Sequence, residues 1–291
     1  MVVPAARPHL SVSQIEMFAK CPKMWEYRYV YGIKSPPGVA AVIGKGTHAA
    51  NERNLQQKMD WGTLMSPEEV KDIAADALKE AWQKEEPILF PGDPTIGEAT
   101  DTAVGLASLY AEELAPQLQP VALERAFIIE MPGIEHDLLG VVDVETEDSV
   151  RDTKTSKKRP DPSTARRSVQ LAAYSLRSTL EGKGTKKVAL DVLVKNQRPT
   201  LVTLEASPTS ATHQALVNRV ATVSQAVTAG VFPPTSPGNW WCSQRWCGYW
   251  DRCEYGSAAR VTVGLIDPAR LTARMIQHPH REDTDSAVDD V

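Results

Sequence analysis

Long apolar runs are missing from this sequence. No stretch approaches the roughly 18 apolar residues that a membrane-spanning helix needs, and the N-terminus MVVPAARPHL lacks the basic start and apolar run of a secretory signal. These absences argue against a membrane partner and predict a cytoplasmic protein. We also find no internal repeat and no phosphate-cradling GxxxxGK[ST] motif.

An excess of positive charge is also missing. The chain has 32 Lys and Arg against 37 Asp and Glu, a formal net charge of -5. This argues against a protein that coats nucleic acid, because such proteins depend on a broad positive field. It leaves room for an enzyme with a small basic patch beside its site.

Cysteine is scarce, with four in 291 residues. In a reducing cytoplasm these four are poor disulfide candidates, and we interpret them as ligands, reactive thiols or small core residues. Cys21 lies near one end of the chain, whereas Cys242, Cys247 and Cys253 lie close together near the other.

The hydrophobic periodicity predicts helices first, then a three-strand meander, then alternating helix and strand. The predicted helices cover residues 42–58, 98–115, 163–181 and 208–229, and the predicted strands cover 121–130, 138–146, 149–155, 188–195 and 200–205. This order favours a mixed α/β sheet flanked by helices.

Near the N-terminus, residues 1–10 have the composition of a loose arm. Ser13-Gln-Ile-Glu16 predicts a capping box that starts a helix, which breaks near Cys21 and resumes as an aromatic-rich helix from Trp25 to Tyr31. We expect a single domain over residues 1–262, followed by a flexible acidic tail over 263–291.

Two adjacent strand segments carry the clearest chemistry: GVVD, ending at Asp143, and DTK, from Asp152 to Lys154. A hairpin with its turn at 147–148 and a symmetric register would place the two aspartates opposite each other, with Cβ atoms about 5 Å apart. Lys154 would share their face. Opposed carboxylates repel, and a divalent cation would keep both ionised. The competing interpretation is a charged surface hairpin in which Lys154 only pairs with Asp152.

A basic segment follows this hairpin. Residues 151–167 contain seven Lys or Arg against two Asp. Charge runs usually form solvated loops, but beside a carboxylate pair such a run suits a phosphate backbone. Arg166 and Arg167 are its DNA-binding candidates. The next helix carries Gln170 and Tyr174, four residues apart and therefore on one face, as an ordinary amphipathic helix with a buried tyrosine would also place them.

Taken together, these segments resemble the RecB-type branch of the PD-(D/E)XK nuclease superfamily. The matching segments are Leu10-Ser-Val-Ser13, Cys21-Pro22 with the aromatic helix, Gly46-Thr-His48, Gly140-Val-Val-Asp143, Asp152-Thr-Lys154 and Gln170-x-x-x-Tyr174. They follow the family's order and span residues 10 to about 255. The resemblance implies a restriction-endonuclease-like fold.

The resemblance also assigns roles to single residues. It implies that a Mg2+ or Mn2+ ion is ligated by His48, Asp143, Asp152 and the backbone carbonyl of Thr153. A histidine ligand makes Mn2+ plausible beside Mg2+, because imidazole is softer than carboxylate. Lys154 would be the catalytic lysine. Gln170 and Tyr174 would support the site and contact the nucleic acid.

For the cysteines, the resemblance is to the helicase-nuclease subunits and CRISPR-associated exonucleases of this branch. There, one early and three late cysteines hold a [4Fe-4S] cluster that joins the two ends of the domain, with four thiolates at one point. Here the ligands would be Cys21, Cys242, Cys247 and Cys253. A structural Zn2+ site and unligated core cysteines remain alternatives.

We therefore expect a metal-dependent DNA exonuclease or end-processing nuclease. Single-stranded DNA is the preferred substrate, because the aromatic helix and the tryptophan-rich end could stack on unpaired bases. The expected setting is recombination, repair or CRISPR adaptation, with a helicase, a recombinase or a CRISPR integrase as candidate partner. The alternative is a catalytically silent DNA-binding or assembly module that keeps the nuclease fold.

Overall fold

A computed structural model describes residues 7–182, 187–236 and 238–256. Its strands are β1 (His9–Ser11), β2 (Pro120–Ile129), β3 (Asp137–Thr146), β4 (Ser149–Ser156), β5 (Lys187–Val194) and β6 (Thr200–Ala206). Its α-helices are α1 (Val12–Lys20), α2 (Pro22–Trp25), α3 (Val39–Trp61), α4 (Pro67–Glu85), α5 (Ile96–Glu113), α6 (Thr164–Arg167), α7 (Val169–Leu180) and α8 (Ser210–Thr228). A π-helical turn, Glu26–Val30, continues α2, and a 3-10 turn, Ala115–Gln117, follows α5.

The strands form one mixed sheet in the order β1-β3-β4-β5-β6, with β2 also paired to β3. The pairs β1–β3 and β4–β5 are parallel, and the other pairs are antiparallel. Strands β2, β3 and β4 are the predicted meander. The mixed α/β sheet that we expected from the sequence is therefore confirmed.

Helices pack on this sheet in two groups. The first group, α3, α4 and α5, shares a buried core with Val144 of β3 and Leu193 of β5. The second group, α1, α7 and α8, packs with Leu138 of β3 and Ile129 of β2. Burial of these apolar faces orients the helices around the sheet. No helix in the described ranges is long and apolar enough to cross a bilayer.

The N-terminal segment differs from its predictions. The structure places His9–Ser11 in strand β1, where Leu10 is buried, rather than in a loose arm. The predicted capping box is also wrong, because Ser11 is the N-cap of α1 and its hydroxyl accepts the Gln14 N–H. Pairing with β3 fixes the chain up to Ser11, so the helix begins two residues earlier than the motif indicates.

Two further predictions concern segment boundaries. The single helix predicted for 163–181 is two helices, because Ser168 leaves the helical conformation and caps α7 through the Leu171 N–H. The predicted acidic tail, 263–291, and the first six residues of the predicted arm lie outside the described residues.

Helix α3 approaches α4 closely at Gly46. A Cβ built on this glycine would lie 2.9 Å from both the backbone oxygen of Ala74 and the Cβ of Leu78. Both atoms are parts of a rigid helix. Gly46 therefore permits the close contact between α4 and α3, the helix that carries His48.

We predict that Gly46→Ala lowers the free energy of unfolding by about 1–3 kcal/mol, because the added methyl group overpacks this contact. Denaturant unfolding followed by circular dichroism measures the change. The control is Gly105→Ala on α5, where a Cβ would meet nothing within 4 Å. That change should raise stability through helix propensity. Equal effects of the two changes would contradict the close-contact explanation.

Candidate active site

The β3–β4 hairpin places the two aspartates as its sequence predicts. Val144 pairs with Arg151 and Glu145 with Val150, so the register continues to Asp143 opposite Asp152. The backbone ladder, however, stops at the Val144–Arg151 pair. Beyond it, β4 continues along β5 and β3 continues along β2. We call this opening between β3 and β4 the fork.

At the fork, side chains replace the missing backbone hydrogen bonds. The Thr153 N–H donates to Asp143 Oδ2 at 2.9 Å. Asp152 is almost fully buried, with 1% of its surface exposed, and its Oδ1 accepts a hydrogen bond from Lys154 Nζ at 2.9 Å. The fork therefore holds two carboxylates and one ammonium within one hydrogen-bonded group.

Helix α7 holds the other side of Lys154. Its Nζ also donates to Gln170 Oε1 at 3.1 Å, and Gln170 Nε2 donates to the Tyr174 hydroxyl at 2.6 Å. That hydroxyl in turn donates to the backbone oxygen of Val141 on β3. The chain of hydrogen bonds links both strands of the fork through α7, and it restrains the ammonium of Lys154.

Helix α3 brings His48 to the fork. Its Nδ1 lies 3.8 Å from Asp143 Oδ2. The imidazole nitrogen and the carboxylates of Asp143 and Asp152 are the donor types that a Mg2+ or Mn2+ ion accepts. Within the described residues, no three His, Cys, Asp or Glu side chains are already placed as ligands of one ion. Binding of an ion would therefore require the paired carboxylates to turn toward it.

Burial and like charge shift the acidity of this group. Burial, followed by the charge of Asp143, raises the pKa of Asp152 to about 7, although Lys154 opposes the shift. Burial disfavours the charged form of Lys154, but the charge and hydrogen bond of Asp152 together with the charges of Asp143 and Glu16 outweigh burial, so the pKa of Lys154 is raised. The metal-free fork therefore keeps its lysine charged and holds a proton on Asp152 up to neutral pH.

Two glutamates that the sequence analysis missed also face the fork. Glu124 lies opposite Asp143 on β2, between the Leu123–Val144 and Arg125–Val142 pairs, and has a positive φ of 44°. Burial and then Asp143 and Glu52 raise the pKa of Glu124 to about 7. Glu52 follows His48 by four residues on α3, and this spacing in the sequence places both side chains on one face of the helix. The left-handed backbone of Glu124 leaves no such signal in the sequence.

A third missed glutamate belongs to α1. Burial raises the pKa of Glu16, and the charges of Lys154 and then Arg219 oppose that shift. The capping box that we predicted gives Glu16 only a local role at the start of a helix, and it does not place Glu16 near the fork. The N-terminal helix thus adds negative charge beside the candidate catalytic lysine.

The basic segment lies beside β4 as expected, but its arginines are not equivalent. Arg166 and Arg167 are exposed on the short helix α6. Arg167 pairs with Asp161 at 3.2 Å, whereas Arg166 makes no ion pair in the described part of the chain. Lys157, Lys158 and Arg159 are also exposed. Arg166 is the less restrained of the two predicted DNA-binding arginines.

The four cysteines, all free thiols, line one small cavity. Cys21 caps the end of α1, and the others lie in the turns of residues 238–256. The Thr235 N–H points to Cys21 Sγ at 3.4 Å. Burial, followed by the nearby thiols, raises the pKa of Cys247. Four sulfur donors facing one cavity fit a thiolate-bound metal group in donor type, although within the described residues they are not preplaced at ligand distances.

Other contacts tie the same two chain ends together. Trp241 Nε1 donates to the Lys20 oxygen at 3.2 Å, and the Tyr249 hydroxyl donates to the Ile33 oxygen at 3.0 Å. The Tyr27 and Tyr249 rings stack with centroids 5.3 Å apart. The cavity is therefore enclosed by contacts that do not involve the cysteines.

A mixed sheet flanked by helices, with an aspartate pair and a lysine where two strands separate, is the arrangement of a restriction-endonuclease-like nuclease. The sequence profile described as the PD-(D/E)XK nuclease superfamily matches residues 9–254. The chain therefore belongs to the PD-(D/E)XK nuclease superfamily.

A solved structure shares this fold. A Eubacterium rectale protein named "Putative exonuclease" has a TM-score of 0.53 and 13% identity, over 78% of this chain and 83% of its own. A second solved structure, SSO0001, has a TM-score of 0.39 and 13% identity, over 87% of this chain and 89% of its own. No curated protein matches the sequence.

We predict that Asp152→Asn stabilises the metal-free protein at pH 8 by about 2 kcal/mol. The raised pKa of Asp152 means that the folded state holds a proton that the unfolded state releases between pH 4 and 7. Stability of the wild type should therefore fall as the pH rises through this range, and the variant should lose much of that dependence. Thermal unfolding in EDTA at pH 4, 6 and 8 measures it, and parallel curves for the two proteins would refute the buried-carboxyl argument.

Proposed function

We propose that the protein is a metal-dependent DNA nuclease of the RecB-type branch that hydrolyses phosphodiester bonds at the fork. The observation that carries this proposal is the placement of Asp143 and Asp152 on facing strands, with His48 and Lys154 beside them. A surface hairpin would leave these carboxylates exposed. Asp152 instead is buried beside Asp143, whose like charge disfavours its ionised form even with Lys154 nearby, and a bound cation would relieve this.

In this proposal, His48, Asp143, Asp152 and the carbonyl of Thr153 would hold a Mg2+ or Mn2+ ion. A bound ion of this kind polarises a phosphate oxygen and lowers the pKa of bound water. If Asp152 served as a ligand, Lys154 would lose its ion-pair partner. Gln170, which is itself held by Tyr174, would then keep the ammonium in place, where it could hydrogen-bond the attacking water or a phosphate oxygen on which negative charge develops.

We propose DNA ends or single strands as the substrate. The basic segment at Lys157–Arg159 offers positive charge next to the fork for backbone phosphates. Trp240 and Trp246, which are 65% and 52% exposed, offer rings on which unpaired bases can stack. In the aromatic helix, Trp25 instead packs inside against Phe232, whereas Tyr29 and Tyr31 are exposed.

We further propose that Cys21, Cys242, Cys247 and Cys253 bind a [4Fe-4S] cluster, with structural Zn2+ as the alternative for the same thiolates. The shared cavity and the Thr235 N–H directed at Cys21 Sγ support a thiolate site. The group would be structural, because ligation across the two chain ends restricts the unfolded chain. We also propose a single domain over residues 1–262 and a role in recombination, repair or CRISPR adaptation.

We predict that the wild type degrades end-labelled DNA with Mg2+ or Mn2+, and that Lys154→Ala and Asp152→Ala each reduce kcat at least about 100-fold while DNA binding persists. Single- and double-stranded substrates, compared side by side, give the preference. Lys71→Ala and Asp72→Ala, at exposed positions of α4, are matched controls and should keep full activity. Binding without cleavage in either metal would reject the enzyme and favour the catalytically silent module.

We predict that anaerobically purified wild type contains iron and acid-labile sulfide and shows a broad visible absorption band. Cys253→Ser should lose the band and most of the iron, and its Tm should fall because the two chain ends are no longer joined. Gln244→Ala, an exposed neighbour, should retain both. A content of one zinc per chain would favour the structural Zn2+ site over the cluster. A metal-free wild type, with a Tm that Cys253→Ser leaves unchanged, would reject both.

A further inference from the structure

Lys195 occupies an unusual position at the end of β5. Its backbone N–H donates to the Ser156 oxygen at 2.6 Å, which fixes it beside the end of β4. Its Nζ donates to the Thr155 hydroxyl at 3.3 Å. Thr155 directly follows the candidate catalytic lysine in the chain. The ammonium of Lys195 is therefore held against the strand that carries the fork.

This ammonium is half-buried and has no counter-ion in the described part of the chain. Burial, followed by the charge of Lys157, lowers the pKa of Lys195 to about 8. Other lysines near this edge are neutralised, as Lys45 is by Glu85. An uncompensated ammonium that is partly withdrawn from water is unfavourable unless an anion binds to it.

The position of Lys195 relative to the fork follows from helix α3. Gly44 lies against Thr155, since a Cβ on this glycine would be 3.7 Å from the Thr155 hydroxyl. His48, which contacts Asp143, lies on the same face of α3 four residues later, about one helical turn or 5.4 Å along the axis. The Thr155–Lys195 pair is thus about one helical turn from the candidate metal ligand.

We propose that Lys195 Nζ and the Thr155 hydroxyl bind a backbone phosphate of the DNA substrate that neighbours the phosphate being cleaved. This inference rests on the proposed nuclease function. A nucleic-acid strand carries one phosphate per nucleotide, so a strand with one phosphate at the fork presents the next one nearby. A cation and a hydroxyl donor together recognise a phosphate oxygen without reading the base.

The test compares Lys195→Met, Lys195→Arg and the wild type on a fluorescent single-stranded oligonucleotide. Binding is measured by anisotropy in EDTA over a salt series, and cleavage by steady-state kinetics in Mg2+. We expect Lys195→Met to raise Kd and KM about 10-fold, to change kcat less than about 2-fold, and to reduce the slope of log K against log salt by about 0.7. Lys195→Arg should stay within about 3-fold of the wild type.

Lys71→Met is the matched control. Lys71 is exposed on α4, 14 residues or about 21 Å along the helix from Glu85. Glu85 marks the end of α4 near the fork, because it contacts Lys45 beside Gly44. The Lys71→Met variant should leave Kd, KM and the salt slope unchanged. Unchanged binding by Lys195→Met would overturn the proposal. A lower Tm and a lower kcat at constant KM would also overturn it, because that result indicates that Lys195 supports the structure and does not bind phosphate.

Failure of the nuclease proposal is distinguishable from failure of this inference. If the wild type binds DNA but does not cleave it, the enzyme proposal fails, while the binding arm in EDTA still decides the role of Lys195. If the wild type cleaves DNA and Lys195→Met behaves like the wild type, only this inference fails. A wild type that does not bind the oligonucleotide would overturn both.

Discussion

The separation of β3 from β4 is the constraint on which the rest of the site depends. Two strands joined by a tight turn would ordinarily continue their ladder, but here it ends at Val144 and Arg151. Unpaired backbone groups in a protein interior must find other partners, and the Asp143 carboxylate supplies one by accepting the Thr153 N–H. The outer strands β2 and β5 keep each arm of the fork in the sheet.

Charge at the fork is unbalanced when no metal is bound. Asp143, Asp152 and Glu124 face a single ammonium, that of Lys154, and burial with mutual repulsion raises the pKa of two of the carboxyl groups to about 7. Such a group weakens the fold at neutral pH. Clusters of residues that destabilise the folded protein often serve its function. The hydrogen bonds through Gln170 and Tyr174 limit the consequences by holding the lysine from α7 as well as from β4.

Long-range contacts between the chain ends complete the architecture. The segment around Cys21 and the turns around Cys247 meet through aromatic stacking and hydrogen bonds as well as through the cysteine cavity. Gly248 illustrates how close the approach is, because a Cβ there would lie 1.7 Å from the Ser35 hydroxyl oxygen. Helix α1 runs from this region to the fork, where it places Glu16 near Lys154. The N-terminal segment therefore contributes to both the cysteine cavity and the candidate active site.

The sequence by itself determined most of the elements and the hairpin register, because strand alternation and a short turn are local properties. That register alone sets Asp143 opposite Asp152, and Lys154, Gln170 and Tyr174 follow from the same spacing and from family order. Only the tertiary structure decided that the ladder stops at the fork, and that Glu124 and Glu16 join it. It alone also left Lys195 without a counter-ion among the described residues. These features depend on contacts between strands and helices that are far apart in the chain, and the spacing of residues along the sequence does not determine those contacts.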